Sequence, residues 1–184
     1  MIQKKIIFLF CALLLPVAVF LFLKSFGKNE FDVKPLFQTS VQVGERCAEY
    51  SYRFPYTIPD SLRSFVFQET KDTLTLIVLT QTLPDIEKHL SVQLARIFKE
   101  SSLGRVFLLH DGESNTSGFD SRVTIKDIGV DNFLSLKYCA LLLSSEQSAV
   151  LIDSQGRVRG QYNLSELDEV DRLIMEAKII LKQY

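Results

Sequence analysis

The stretch Leu74–Glu100 constrains the fold more than any other part of the sequence. Residues 74–80, LTLIVLT, form a short, largely apolar run, which is typical of a strand covered on both faces. Pro84 then stands where a helix tolerates proline, in the first turn, and an apolar helical stripe follows it. Residues 105–110, RVFLLH, predict a second buried strand, parallel to the first and reached by a right-handed helical crossover.

The remaining predicted elements surround this strand–helix–strand unit. The alternation in residues 47–54 and 64–70 predicts two strands before it. After it we expect a strand at 123–125, a helix at 131–138, a hairpin of strands 149–152 and 158–162, and a closing helix at 165–184. This order predicts a thioredoxin-like α/β fold, with three layers around a mixed central sheet and an N-terminal β addition.

An unbroken apolar run precedes the domain, at residues 6–23, with Lys4-Lys5 before it and Lys24 after it. A helix of this length extends about 27 Å, close to the hydrocarbon thickness of a bilayer. We therefore expect one transmembrane helix within residues 1–24, with a cleaved signal peptide as the alternative. Residues 25–46 are predicted to be a linker and residues 47–184 the folded domain. Because no second span follows, we expect a single-pass cell-membrane protein whose domain lies on the periplasmic side.

The charge of the chain limits its partners. Formal net charge is −1, and the charged residues are spread along the sequence. A nucleic-acid-binding protein normally carries a basic patch, so no nucleic acid is expected as a partner. The expected partners are the membrane, contacted through residues 6–23, and another protein.

Two of the three cysteines, Cys47 and Cys139, lie in the predicted domain. In an oxidising compartment they are candidates for a disulfide. The alternative is two separate buried thiols that pack as small apolar residues. Their separation does not match a Cys-x-x-Cys redox motif.

The C-terminal part of the chain resembles the SCO/SenC family of copper-binding thioredoxin-fold proteins. The resemblance rests on the strand–turn–strand VLIDSQGRVRGQY at residues 150–162, on the closing helix, on Pro84-Asp85-Ile86, and on the anchor–linker–domain layout. It covers roughly residues 55–184. The resemblance implies an accessory role in the assembly of a respiratory complex or of the cell envelope.

The family's copper ligands are two cysteines spaced Cys-x-x-x-Cys before the helix, and a histidine nearer the C-terminus. The matching positions here are Thr82 or Leu83, next to Pro84, and Glu87, with Ser144-Ser145-Glu146 at the histidine's place. Thiolates and imidazole suit Cu(I), whereas hydroxyl and carboxylate groups do not. We therefore expect a degenerate site loop, no cofactor and no enzymatic activity.

Two weaker possibilities remain open from the sequence. His110 and Asp111 end a predicted strand, at the edge where α/β proteins usually carry their sites, although a histidine there more often has a structural role. An atypical site built from Cys47 and Cys139 would instead make the protein a metallochaperone or a thiol–disulfide oxidoreductase. The main hypothesis is a non-catalytic binding protein.

Overall fold

The computed structural model describes residues 13–22, 32–60, 62, 74–81, 84–112 and 118–182. The chain divides into two compact units, Met1–Asp32 and Val33–Tyr184. In the first unit, residues 13–22 are helical and all of them are exposed. No helix among the described residues has the length and apolar character needed to cross a membrane. Part of the predicted span, residues 6–12 and residue 23, lies outside the described residues. The second unit begins inside the predicted linker, at Val33.

A five-stranded mixed sheet forms the centre of the second unit. The predicted mixed character of the central sheet is confirmed. Its strands are β1 (Leu74–Thr80), β2 (Arg105–His110), β3 (Val123–Asp127), β4 (Ala149–Asp153) and β5 (Val158–Tyr162). They lie in the order β3-β2-β1-β4-β5. The pairs β1–β2 and β2–β3 are parallel, whereas β4 is antiparallel to β1 and to β5. The predicted parallel crossover between β1 and β2 is thus confirmed.

One face of the sheet is covered by two long helices. Helix α1 (Pro84–Glu100) buries Leu90, Leu94 and Ile97 of the predicted apolar stripe. The last helix of the chain, Leu167–Ile180, packs Val170 and Leu173 into the same core. Burial of these apolar side chains against β1, β2 and β4 supplies the main stabilisation of this layer.

The opposite face is covered by a shorter helix and by the N-terminal part of the unit. Helix α2 (Val130–Ser135) continues into one π-helical turn, Leu136–Ala140. The last helix, Leu167–Ile180, is accordingly named α3. Residues 33–59, hereafter the strap, also cross this face. Tyr56 and Ile58 of the strap are buried beside Ile77 of β1. The sheet therefore has a covering layer on each side.

The predicted N-terminal β addition is wrong for the described residues. Residues 47–54 contain no strand. The strap meets β5 through an isolated bridge between Thr57 and Arg157 and through a backbone hydrogen bond from Leu36 to Val158, and it forms no ladder with the sheet. The alternation that suggested a strand consists of Tyr50, Tyr52 and Phe54, and its two tyrosines have another role. Tyr50 shares a hydrogen bond with Ser135 and Tyr52 donates one to the Cys139 carbonyl, so both bond to the helix below them rather than to a neighbouring strand. The other predicted strand, 64–70, lies outside the described residues.

Candidate functional site

A cavity of about 340 Å³ opens where β1 ends, β4 begins and β5 has just finished. The antiparallel register explains this placement, because Leu79 near the end of β1 donates its amide proton to Ser148, the residue before β4, at 2.8 Å. Helix α1 supplies His89 and Leu90 to the wall, and α2 with its π-helical turn supplies Phe133, Leu134, Lys137 and Tyr138. We hereafter call this space the junction cavity.

The predicted degenerate loop borders the junction cavity. Gln81, the first residue after β1, lines it together with Thr80, whose hydroxyl donates to the Gln81 carbonyl at 3.1 Å. Thr82 and Leu83 lie outside the described residues. Helix α1 begins at Pro84 and includes Glu87 in its first turn, so the predicted helix start is confirmed. The side chains of residues 84–87 lie outside the description.

Among the described lining residues, Lys137 carries the one ammonium group and His89 the one imidazole. Its ammonium group donates to the carbonyl of Ser145 at 3.0 Å and lies 5.5 Å from the ring centroid of Tyr138. Burial lowers the pKa of Lys137, because the charged form loses hydration. Ser145 also lines the junction cavity, at the place that the SCO/SenC resemblance assigns to a histidine ligand.

Cys47 and Cys139 form the predicted disulfide, which closes a separation of 92 residues. Both residues are buried, with 2% and 1% of their surfaces exposed. Cys47 ends a short 3₁₀ turn of the strap, and Cys139 lies in the π-helical turn that follows α2. The disulfide therefore joins the strap to the helix that forms one wall of the junction cavity.

Polar side chains satisfy the carbonyl groups where this helix ends. Tyr52 and Tyr56 of the strap donate their hydroxyl protons to the carbonyls of Cys139 and Ala140, at 3.1 and 2.6 Å. The Gln161 amide donates to the carbonyls of Leu141 and Leu142, at 3.1 and 2.8 Å. Since the last carbonyls of a helix have no partner within it, these contacts hold the end of the helix, and with it Lys137, in one position.

The candidate pair His110 and Asp111 does not line the junction cavity. His110 ends β2 and is buried, in direct register with Thr80 of β1 and Asp127 of β3. Its carbonyl accepts a proton from the Ile128 amide at 3.0 Å. Asp111 starts a loop of which residues 113–117 are outside the description.

The residues around the junction cavity do not fit the copper ion that the resemblance implies. Its described donors are mainly hydroxyl and amide groups, with His89 as the single imidazole, whereas Cu(I) is held by soft thiolate and thioether sulfur. The sulfurs of Cys47 and Cys139 are bonded to each other. Within the described part of the chain, no group of three or more His, Cys, Asp or Glu side chains is placed to hold a metal ion.

Lys137, Tyr138 and Ser148 line the cavity and were missed by the sequence reasoning. A signal for Lys137 was present, since it is the single charged residue in the run from Phe133 to Leu143. A charged side chain within such an apolar run is partly buried, and a partly buried charge needs polar partners to offset its lost hydration. The run therefore indicates a polar site around Lys137. Ser148 carried no comparable signal.

Comparison with known proteins returned nothing: no protein-family model, no curated protein and no solved structure matches this chain.

Proposed function

We propose that this protein is a membrane-anchored, non-catalytic binding protein, a divergent relative of the SCO/SenC proteins on a thioredoxin-like fold. The strand order supports the fold. Strands β5, β4, β1 and β2 lie side by side, with β4 reversed relative to its neighbours, and helices follow β1, β3 and β5. The thioredoxin core has this arrangement, to which β3 adds a parallel edge strand.

One observation carries the proposed lack of catalysis. The junction between β1 and α1 is where a thioredoxin-like enzyme needs a thiolate, yet the sequence there contains none, and both cysteines of the domain are buried in one disulfide. What remains at the junction is a cavity whose described walls carry hydroxyl groups, an amide, one imidazole and one ammonium group. Such a cavity can bind a ligand, but it offers no nucleophilic sulfur.

The proposed location is the outer face of the cell membrane. A disulfide persists in oxidising compartments such as the periplasm, and the apolar run at residues 6–23 has the length of a membrane anchor. The domain would then meet its protein partner close to the membrane surface, in the assembly of a respiratory complex or of the envelope. This role follows by analogy with the SCO/SenC proteins.

The lack of metal and redox chemistry is tested by two assays on the full chain. We expect no stoichiometric binding of Cu(I) in an absorption titration. We also expect the protein not to catalyse the reduction of insulin when dithiothreitol is the reductant. Saturable Cu(I) binding that the Cys139→Ser substitution abolishes would establish the metallochaperone alternative. Insulin reduction that the same substitution abolishes would establish the thiol–disulfide oxidoreductase. Either result would overturn the proposal.

The anchor is tested separately, by extracting membranes with alkaline carbonate. We expect the full chain to stay in the pellet and a chain without residues 1–24 to be soluble. Release of the full chain into the supernatant would contradict membrane anchoring through residues 6–23.

A further inference from the structure

We propose that the junction cavity binds a small carboxylate that carries an apolar body, with the carboxylate on Lys137. This inference rests on the proposed function as a binding protein and names the class of ligand. It depends on three features of the cavity: its charge, its polar groups and its apolar wall.

The charge of the cavity favours an anion. Lys137 brings an ammonium group to the wall, and no described lining residue is acidic. An ammonium group has three protons to donate, and the contact with the Ser145 carbonyl uses one of them. A carboxylate that accepts a further proton would form a charge-assisted hydrogen bond, which is stronger than a bond between neutral groups.

Hydroxyl groups that line the same cavity can complete the recognition of a carboxylate. The Ser148 hydroxyl oxygen accepts the amide proton of Leu164 at 3.1 Å, so its own proton is free to be donated elsewhere. Ser165 lines the same space and is exposed. Lys137 lies in the π-helical turn, Ser148 just before β4 and Ser165 in the turn before α3, and the fold brings these three parts of the chain to one cavity.

Part of the wall is apolar. Leu79, Leu90, Phe133 and Leu164 are buried side chains that line the cavity. A volume of about 340 Å³ lies at the lower end of the range for small-molecule sites, which combine a mainly apolar surface with a few polar groups that fix orientation. Inorganic phosphate would leave this wall uncovered, whereas a short acyl chain or a small aromatic ring would cover it.

Two sources could provide this chemistry, a free short-chain carboxylate and the C-terminal carboxylate of a peptide that ends in an apolar residue. Hexanoate represents the first source and an acetylated tripeptide that ends in leucine represents the second. The tighter of the two probes identifies the source. If neither binds, the inference is wrong.

The charge requirement is tested by calorimetric titration of the full chain with hexanoate, hexanol and inorganic phosphate. We expect saturable one-to-one binding of hexanoate and at least tenfold weaker binding of the other two. Hexanol that binds as tightly as hexanoate would overturn the role of the ammonium group. Because this comparison uses the unaltered protein, it remains decisive if a variant fails to fold.

The role of Lys137 in binding the carboxylate is tested with three substitutions. Lys137→Met keeps the length of the side chain and removes the charge, so it should weaken hexanoate binding by roughly tenfold to a hundredfold. Lys137→Arg should retain most of the affinity. Lys99→Met removes an exposed cation from the far end of α1 and should leave the affinity unchanged. Equal affinity in Lys137→Met and in the unaltered chain would refute the inference. The Cu(I) and insulin assays do not depend on this result, so the two proposals can fail separately.

Discussion

Gly160 shows how tightly single residues are packed at the edge of the sheet. The ring of Tyr162 lies against Gly160, and its hydroxyl donates a hydrogen bond to the carboxylate of Glu176 in α3 at 2.6 Å. A β-carbon at position 160 would lie 2.5 Å from the Tyr162 ring carbon Cζ and nearer still to the hydroxyl oxygen. Since Tyr162 is fully buried, its ring has no free space to move into.

We therefore expect Gly160→Ala to destabilise the protein by about 1–3 kcal/mol, the usual cost of overpacking. Urea unfolding followed by circular dichroism measures this. Gly44→Ala is the matched control, because a β-carbon at Gly44 meets no atom within 4 Å and the backbone there has a φ of −74°. Equal stability of the two variants would show that Tyr162 can move aside.

At the residue scale the sequence predicted some contacts and could not predict others. The disulfide partners followed from counting cysteines and considering the compartment. The position of Lys137 at the junction cavity depends on long-range contacts that hold the end of its helix, the disulfide at Cys139 and the hydrogen bonds that Gln161 donates. A local sequence pattern does not specify such tertiary contacts.

At the scale of elements, the attachment of the strap to the rest of the domain depends on one covalent bond. It contains no strand in its described residues, and the Cys47–Cys139 disulfide joins it to the helix that ends at Ala140. Loop closure over 92 residues removes conformational entropy from the unfolded chain, which corresponds to about 4.5 kcal/mol in the chain-entropy model.

We expect the double variant Cys47→Ala/Cys139→Ala to lose about 3–5 kcal/mol of unfolding free energy. Each single variant should lose nearly as much as the double variant, since either one removes the cross-link. If the losses of the single variants instead add up to that of the double variant, the cysteines contribute by packing and not by cross-linking. Urea unfolding of all four proteins under non-reducing conditions distinguishes the two results.

The strands that the sequence predicted well have strong local signals. The predicted bounds of β1 and β2 are confirmed, because each is a short run buried on both faces of the sheet. Those of β5 are confirmed as well, and there the signal is the hairpin turn before it, since its residues alternate between buried and half-buried. The strand at residues 47–54 was predicted wrongly because Tyr50 and Tyr52 alternate for a different reason. Both reach the helix below the strap, Tyr50 at the hydroxyl of Ser135 and Tyr52 at the carbonyl of Cys139.

The stability of the whole molecule should fall at alkaline pH. Burial raises the pKa of Tyr56 and of Tyr162 above the ordinary value of 10.0, with repulsion from Tyr52 adding to the first and the hydrogen bond to Glu176 adding to the second. A tyrosine whose pKa is higher in the folded state stabilises fully below pH 10 and loses that stabilisation as the pH rises above it.

Together the two tyrosines should lower the unfolding free energy by about 2.7 kcal/mol per pH unit above pH 10. Lys137 acts in the opposite direction, because burial lowers its pKa, but its contribution is complete by about pH 10.5. Urea unfolding between about pH 9 and about pH 11.5 measures the slope. Tyr56→Phe should halve the slope, because it removes one of the two buried hydroxyl groups. A slope that does not respond to Tyr56→Phe would contradict this account.

The partners of the strap have a consequence for the order in which the domain is made. Leu36 bonds to Val158, Ile58 bonds to Gly156, and Cys47 is joined to Cys139. Every one of these partners lies in the last third of the chain. During synthesis, which proceeds from the N-terminus, the strap therefore emerges before the residues of the last third of the chain that it bonds to. The cross-link that fastens the strap can form only after Cys139 has been made, when about three quarters of the chain exists.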